Sequence, residues 1–381
     1  MSPIRGIVFF TLGAAACTVF TLTVASVTAC RGFDPVDSGP DDDAGQYVVS
    51  TLAGTGDAGA NDGPGNIATF NAPFGIAVGP DGNLYVGDDH SYKIRKVAID
   101  GTVSLYAGTG SFGQTNTNNN CASATFANLH GIAVDKTGNV YVSDHNVRMI
   151  TSTSGTCQQV STLAGNGTNG FADDTGTAAS FNSPWGLAVD TSGNVYVADN
   201  GNNKIRKVTS AGVVSTVAGT GVAGHSDGAA MSATFNAPVG IAVDVTEGAL
   251  YVAEGNNNDI RKITFDGMGN PQTVSTLAGS GALALKDGVG LDAAFNSPTG
   301  LAIDANENLY VADTGNNAIR IISLPAAEVK TIAGTGATGA DDGPADHATF
   351  NNPRGVTVSA GIVYVADTTN NKIRKITPVL E

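Results

Sequence analysis

Apolar and polar residues alternate with a period of two along most of the chain, in short runs broken by small polar residues. Gly186-Leu187-Ala188-Val189-Asp190, Asn194-Val195-Tyr196-Val197-Ala198-Asp199, Lys204-Ile205-Arg206-Lys207-Val208 and Val213-Val214-Ser215-Thr216-Val217-Ala218 follow one another in this way. β-Branched and aromatic residues fill the runs and Gly, Asn and Asp bound them, which predicts four short strands joined by tight turns. Thr191-Ser192-Gly193 predicts the first hairpin, with Asp190 placed to cap it and Gly193 free to take a positive φ. The same four-run unit is written six times, in register on Gly75, Gly131, Gly186, Gly240, Gly300 and Gly355. A period above about 50 residues with no helical pattern inside it marks a repeat architecture, each copy being one supersecondary module.

The two ends of the pattern interlock. The sixth copy stops after its third run, Lys372-Ile373-Arg374-Lys375-Ile376, and the missing fourth run opens the series as Val49-Ser50-Thr51-Leu52-Ala53-Gly54. A strand from the start of the series that completes the last sheet would tie first and last repeats together and remove open edges. The expected fold is all-β: a six-bladed β-propeller of four-stranded antiparallel blades over residues 47–381, closed by an N-terminal strand. Ala77, Ala133, Ala188, Ala242 and Ala302 on the first strands are small, as crowding around an axis requires, and Tyr85, Tyr141, Tyr196, Tyr251, Tyr310 and Tyr364 recur on the second.

The Pro-x-Gly step, the D-x-x-G-N-[LV]-Y-V-A-D run and the N-x-x-I-R-K run together resemble the NHL-repeat six-bladed propellers, over about Val49 to Thr377. That resemblance implies the fold. It leaves function open, because such propellers serve as binding domains, as sensor ectodomains and in a few cases as enzymes.

Ahead of the repeats, Arg5 precedes an apolar run from Gly6 to Ala29, as in a secretory signal. The run ends Val27-Thr28-Ala29-Cys30, which resembles a bacterial lipobox; Cys30 would then carry the lipid, and Arg31 in place of Asp is similar to lipoproteins held at the outer membrane. Plain signal cleavage with secretion, or retention of the run as a membrane-spanning helix, are the alternatives. All three place residues 47–381 outside the cytoplasm, with membrane contact through the N-terminal lipid in the first case. Residues 31–46, rich in Asp, Pro, Ser and Gly, are an acidic flexible spacer.

A net charge of −15 with no Lys/Arg-rich run opposes phosphate backbones and excludes nucleic acid as an expected partner. Cys121 and Cys157, both in or beside the second repeat, are a disulfide candidate outside the cytoplasm. The four-strand topology, however, sets Cys121 in the loop leading into its blade and Cys157 near the opposite end. A bridge needs Cα atoms within about 7 Å.

Residues that recur in every copy serve the scaffold. Asp88, Asp144, Asp199, Glu254, Asp313 and Asp367 end the second strands, where each is expected to cap its own turn and pair with Arg95, Arg148, Arg206, Arg261, Arg320 or Arg374. Six equivalent acids lack the asymmetry that drives two catalytic pKa values apart. Asp62-Gly63, Asp227-Gly228, Asp287-Gly288 and Asp342-Gly343 offer one Asp per loop, too few oxygens for calcium. His90, His130 and His145 fall on one face but lack H-x-H or H-x-E spacing, so no metal site and no cofactor is expected. Neither a nucleophile elbow nor a phosphate loop is present.

What varies is the residue just before each first-strand glycine: Phe74, His130, Trp185, Val239, Thr299 and Arg354. The topology sets these around one mouth of the central channel, where chemical diversity on a uniform scaffold marks a ligand-binding ring. The second-to-third-strand turns at Asp89, His145, Asn200, Gly255, Thr314 and Thr368 are expected to extend that surface. The function expected is a monomeric, non-catalytic binding or scaffold module for a protein or glycan. The alternative, implied by resemblance to lyase and gluconolactonase-like propellers, is a metal-dependent enzyme, although the inner strands here carry mainly Gly, Ala, Ile and Val.

Overall fold

The computed structural model describes residues 46–244 and 248–379. The signal, the lipid-attachment candidate Cys30 and nearly all of the acidic spacer lie outside the described residues. Among the described residues no helix is long and apolar enough to cross a membrane.

Six antiparallel sheets follow one another in chain order among the described residues. The third blade shows the plan: Pro184–Val189, Val195–Asp199, Lys204–Val208 and Val214–Ala218 run from the inside outwards, each paired with the next. In the sixth blade Pro353–Ser359, Ile362–Asp367 and Lys372–Pro378 are completed by Tyr47–Ala53, in a register that sets Val49 against Ile376 and Thr51 against Arg374. The strand exchange expected from the chain ends is therefore present. Val49 is buried in the wedge between the fifth and sixth blades, together with Tyr310, Phe350 and Ile376.

Four blades carry a short fifth strand that the repeat pattern did not reveal. The loop leading into each blade first runs along the outside of that blade's own outer strand, then turns inward. Thr117–Asn118, Gly228–Ala229, Gly288–Val289 and Gly343–Pro344 pair there as two-residue strands. In the first and third blades the same contact is a single bridge, Gly63 to Val103 and Thr175 to Val213.

This path brings the candidate cysteine pair together and corrects only the expectation that the two lie at opposite ends of the blade. Because the leading loop runs beside the outer strand Thr156–Ala164, Cys121 meets Cys157 and the two form a disulfide with Cα atoms 6.2 Å apart.

The core is distributed between blades. Each apolar cluster joins one blade's outer face to the next blade's inner face, as Ile205 and Val217 of the third blade meet Phe235, Ile241 and Val252 of the fourth. Burial of this kind, at roughly 25 cal/mol per Å² of apolar surface, is only available when neighbours are in place.

One buried polar unit is repeated through the ring. The invariant phenylalanine of the F-N step lies under an arginine, which reaches the acid at the end of the second strand. Arg206 stands 5.2 Å from the Phe181 ring and 2.7 Å from Asp199, and Arg374 stands 5.1 Å from Phe350 and 2.8 Å from Asp367. The acid was expected to cap its own turn. Its second oxygen instead accepts the amide at the F-N step, 2.8 Å from Asn182 in the third blade and 2.8 Å from Asn351 in the sixth. The Asp of the leading loop takes the other end of the arginine and also accepts an amide of the outer strand. Asp342 lies 2.7 Å from Arg374 and accepts the Thr51 amide at 3.0 Å. Asp173 performs this task in the third blade without a following glycine, and in the second blade Asn116 accepts from Arg148 and from the Thr162 hydroxyl of the outer strand.

Candidate functional site

The first strands converge on an axis, and the backbone there is packed too tightly for side chains. A Cβ at Gly75 would stand 2.8 Å from the His130 carbonyl oxygen of the next blade. The equivalent atom at Gly131, Gly186, Gly240, Gly300 and Gly355 would come closer still to the carbonyls of Trp185, Val239, Thr299, Arg354 and Phe74. The six contacts form a closed cycle. Each glycine therefore exists to admit the carbonyl of the neighbouring blade's variable residue, and that residue is fixed by its backbone from both sides.

The six variable residues do surround a single mouth. Phe74, His130, Trp185, Val239, Thr299 and Arg354 line a cavity of about 60 Å³, floored by the six glycines and walled below by Ile76, Ile132, Leu187, Ile241, Leu301 and Val356. They are not evenly disposed. Four bulky groups from successive blades are packed together: the Arg354 guanidinium lies 4.7 Å from the centre of the Phe74 ring, Phe74 is 5.0 Å from His130 at a tilt and 5.3 Å from Trp185 edge-on, and His130 is 4.5 Å from Trp185 at a tilt. Val239 and Thr299 complete the circle as small groups, and the Thr299 hydroxyl donates to the Arg354 carbonyl at 2.9 Å. The mouth thus has one arc of flat faces and one arc of low relief.

Electrostatics at the mouth are local. Burial lowers the His130 pKa, an effect that Asp89 opposes and Arg354 reinforces, so the imidazole is neutral near pH 7. Burial likewise lowers the Arg354 pKa, with Asp89 opposing. Asp89 itself is buried, and its carboxylate accepts the Leu129 amide at 2.7 Å.

The second-to-third-strand turns do not extend this surface as expected. Four of the six, at Asp89, Asn200, Thr314 and Thr368, clasp the following blade. Thr314 and Thr368 are buried and donate to the carbonyls of Pro353 and Pro73, each at 2.7 Å, while Asn200 donates to the Pro238 carbonyl at 3.1 Å. Asp89 is the reversed case. The second blade has Leu129 where the others have proline, and the amide this restores is the one Asp89 accepts. Ser143 adds a further clasp, accepting from the Gly131 amide at 2.8 Å and donating to the Trp185 carbonyl at 2.6 Å.

Among the described residues no group of three or more His, Cys, Asp or Glu is arranged to hold a metal ion. His90 reaches Asp89 at 3.9 Å, whereas His225 lies far along the chain in the fourth blade against Asp259.

Comparison with known families decides the repeat. The NHL repeat matches residues 181–208, 295–322 and 350–376, each beginning on or beside the buried phenylalanine and ending within the third strand of a blade. The chain is an NHL-repeat propeller. Among curated proteins it is similar to Protein SUPPRESSOR OF QUENCHING 1, chloroplastic, of Arabidopsis thaliana, at 28% identity over 66% of this chain and 25% of that protein. It is also similar to NHL repeat-containing protein 2 of Homo sapiens, at 26% identity over 76% of this chain and 44% of that protein. The propeller spans less than half the length of either relative. Among solved structures, an auxiliary nutrient binding protein from Bacteroides ovatus superposes with a TM-score of 0.67 at 18% identity, covering 88% of this chain and 77% of that one. A gluconolactonase from Xanthomonas campestris superposes with a TM-score of 0.57 at 13% identity, covering 92% of this chain and 100% of that one. At these identities the likeness concerns the propeller fold alone.

Sequence reasoning found the six mouth residues of this NHL-repeat propeller but missed Asp89 and Ser143 as their supports. The signal for Asp89 was readable: the second blade's loss of proline at Leu129 coincides with an acid in the preceding blade's turn.

Proposed function

We propose that this NHL-repeat propeller is a non-catalytic binding module outside the cytoplasm, and that the packed arc at the channel mouth engages a protein or glycan ligand. The observation that carries this reading is the meeting of Arg354, Phe74, His130 and Trp185 on a scaffold otherwise repeated six times. Arg and Trp are among the residues that most often anchor partners, and ligand pockets are lined largely by aromatic and apolar side chains. The recurring acids, by contrast, are spent on buried arginines, and the inner strands bring no donor set for a metal. Propellers of this fold include both a nutrient binding protein and a gluconolactonase, so the mouth and not the fold argues for binding. The N-terminal lipobox-like segment supports the placement outside the cytoplasm.

The protein contains one tryptophan, Trp185, so its intrinsic fluorescence reports on the mouth without a label. Screening glycan and peptide panels by this signal is expected to give saturable changes that survive metal chelation and are lost in a Phe74→Ala, Trp185→Phe variant followed by calorimetry. Stoichiometric zinc or calcium retained through dialysis, together with lactone hydrolysis, would establish the enzyme reading instead.

A further inference from the structure

Six of the arginines in the described residues are buried and hold a carboxylate. Arg354 breaks the rule. Among the described residues no carboxylate lies within ion-pair distance of it, and its guanidinium is seated on the Phe74 ring at the edge of the cavity; its Nε is buried without a hydrogen-bond partner, as are those of Arg95, Arg148, Arg261 and Arg320. Asp89 is the acid whose charge it feels, and that carboxylate is already engaged by the Leu129 amide.

We infer that the channel mouth is a receptor for a monocarboxylate borne on a flat ring, with Arg354 binding the carboxylate and Phe74, His130 and Trp185 forming the wall against which the ring lies. The inference rests on the binding reading above and names its ligand class. A partly desolvated guanidinium with unused donors is a costly arrangement until an acceptor arrives. A carboxylate satisfies it best, because its two oxygens match the planar fork of donors.

The charge and size of the site narrow the choice. No lysine and no second arginine line the cavity, so one guanidinium balances one negative charge, and a phosphate dianion would enter half compensated. The net charge of −15 repels polyanions at long range, leaving small or singly charged ligands favoured. A volume of about 60 Å³ takes a carboxylate and the edge of a ring rather than a flexible chain. The half-buried rings of His130 and Trp185, held at a tilt 4.5 Å apart and backed by the buried Phe74, offer ring surface to an aromatic ring or to the apolar face of a sugar ring. A sugar acid and an aromatic acid share this chemistry.

The test is a fluorescence titration of the purified protein through Trp185 with glucuronate, benzoate, their uncharged counterparts glucose and benzamide, and inorganic phosphate. At least one carboxylate is expected to bind at least tenfold tighter than its neutral counterpart and than phosphate. The stronger of the two acids identifies the ring. Arg354→Gln is expected to lose tenfold or more for that acid while melting within about 2 °C of the parent, since Arg354 makes no ion pair whose loss would unfold the ring. Equal binding of acid and neutral counterpart, tighter binding of phosphate, or an unaltered affinity in Arg354→Gln would each overturn the carboxylate assignment. If the wider glycan and peptide panels still bind in an Arg354-independent way, the binding reading stands without it. If no probe or panel member changes Trp185 fluorescence, both fall.

Discussion

The glycine cycle at the axis makes a graded prediction. Replacing Gly240 by Ala puts a methyl group into the Thr299 carbonyl, the tightest of the six approaches, and the obstructing atoms are backbone on both sides. The fourth and fifth blades must separate at the axis, loosening an apolar wedge that includes Tyr251, Phe295, Leu301 and Val311. Overpacking of a rigid core costs about 1–3 kcal/mol and more where the backbone itself must move, so about 3 kcal/mol or above is expected for Gly240→Ala. Gly75→Ala faces a 2.8 Å approach and should cost least of the six, about 1 kcal/mol. Gly267 is the control: it is exposed, nothing lies within 4 Å of its added Cβ, and its φ is not positive, so Ala there should be neutral or stabilising by about 0.5 kcal/mol. Unfolding entropy of about 2.1 cal/mol/K per residue, summed over a ring of this size, converts 3 kcal/mol into a melting shift of about 4 °C. Differential scanning calorimetry of the three variants is sufficient. If Gly240→Ala melts with Gly267→Ala, or Gly75→Ala is the most damaged, the glycines are not serving close approach and the account of the mouth's rigidity is wrong.

Three further outcomes follow from separate parts of the ring. The Cys121–Cys157 bridge closes a loop with a sequence separation of 36, for which the chain-entropy relation gives about 4 kcal/mol, so the Cys121→Ser, Cys157→Ser protein should melt about 5 °C lower and lose the sensitivity to reductant that the parent shows. In the fourth blade burial raises the pKa of Asp259 and of Glu254 to about 7 each, with the charge of Asp259 adding to the rise at Glu254 and that of Asp227 to the rise at Asp259, while Arg261 opposes both. A carboxyl raised in the folded state stabilises fully below its ordinary pKa and loses that contribution as pH rises through the folded value. Melting temperature should therefore fall as pH rises from about 4 through about 7, and Asp259→Lys, matching Lys93, Lys204 and Lys372 in other blades, should flatten the profile. Val49→Asp places an unpaired charge in the closing wedge and should cost upwards of about 3 kcal/mol, with small-angle scattering showing an expanded particle; an unchanged scattering profile and melting point would mean the N-terminal strand does not close the ring.

How far the sequence reached depends on the range of the interactions involved. The strands, their hairpins and the blade count follow from local rules, alternation and turn chemistry, and repetition multiplies a weak signal by six. Closure by residues 47–53 was legible because a missing run and an extra run are complementary. The disulfide was legible only as a candidate pair. Its geometry depends on the leading loop lying along the outer strand, and the two-residue pairings that hold it there, such as Thr117 with Val160, leave no periodic trace. The turn residues Asp89, Thr314 and Thr368 misled for a related reason. Their variety resembled that of a recognition surface, yet each solves the same problem, satisfying a backbone group of the next blade, with a different side chain.

Variation among repeats therefore has two meanings, and contact with the neighbour's backbone separates them. At the clasps, threonine, asparagine and aspartate differ but each has a partner, so the variation is interchangeable chemistry for one structural task. At the mouth, the backbone of the variable residue is held by the glycine cycle whatever the side chain, so the scaffold places no demand on its identity. Freedom alone would scatter residue types at random around the axis. Instead Arg354, Phe74, His130 and Trp185 come from four consecutive blades and pack on one another, leaving a guanidinium without an acid in a protein that pairs its other described arginines. A clustered, partly dehydrated and unpaired cation is not something the ring needs in order to stand. The energy it forgoes is recovered only when an acceptor from outside enters the mouth, which is why the binding function is sought there and not along the six repeated acids.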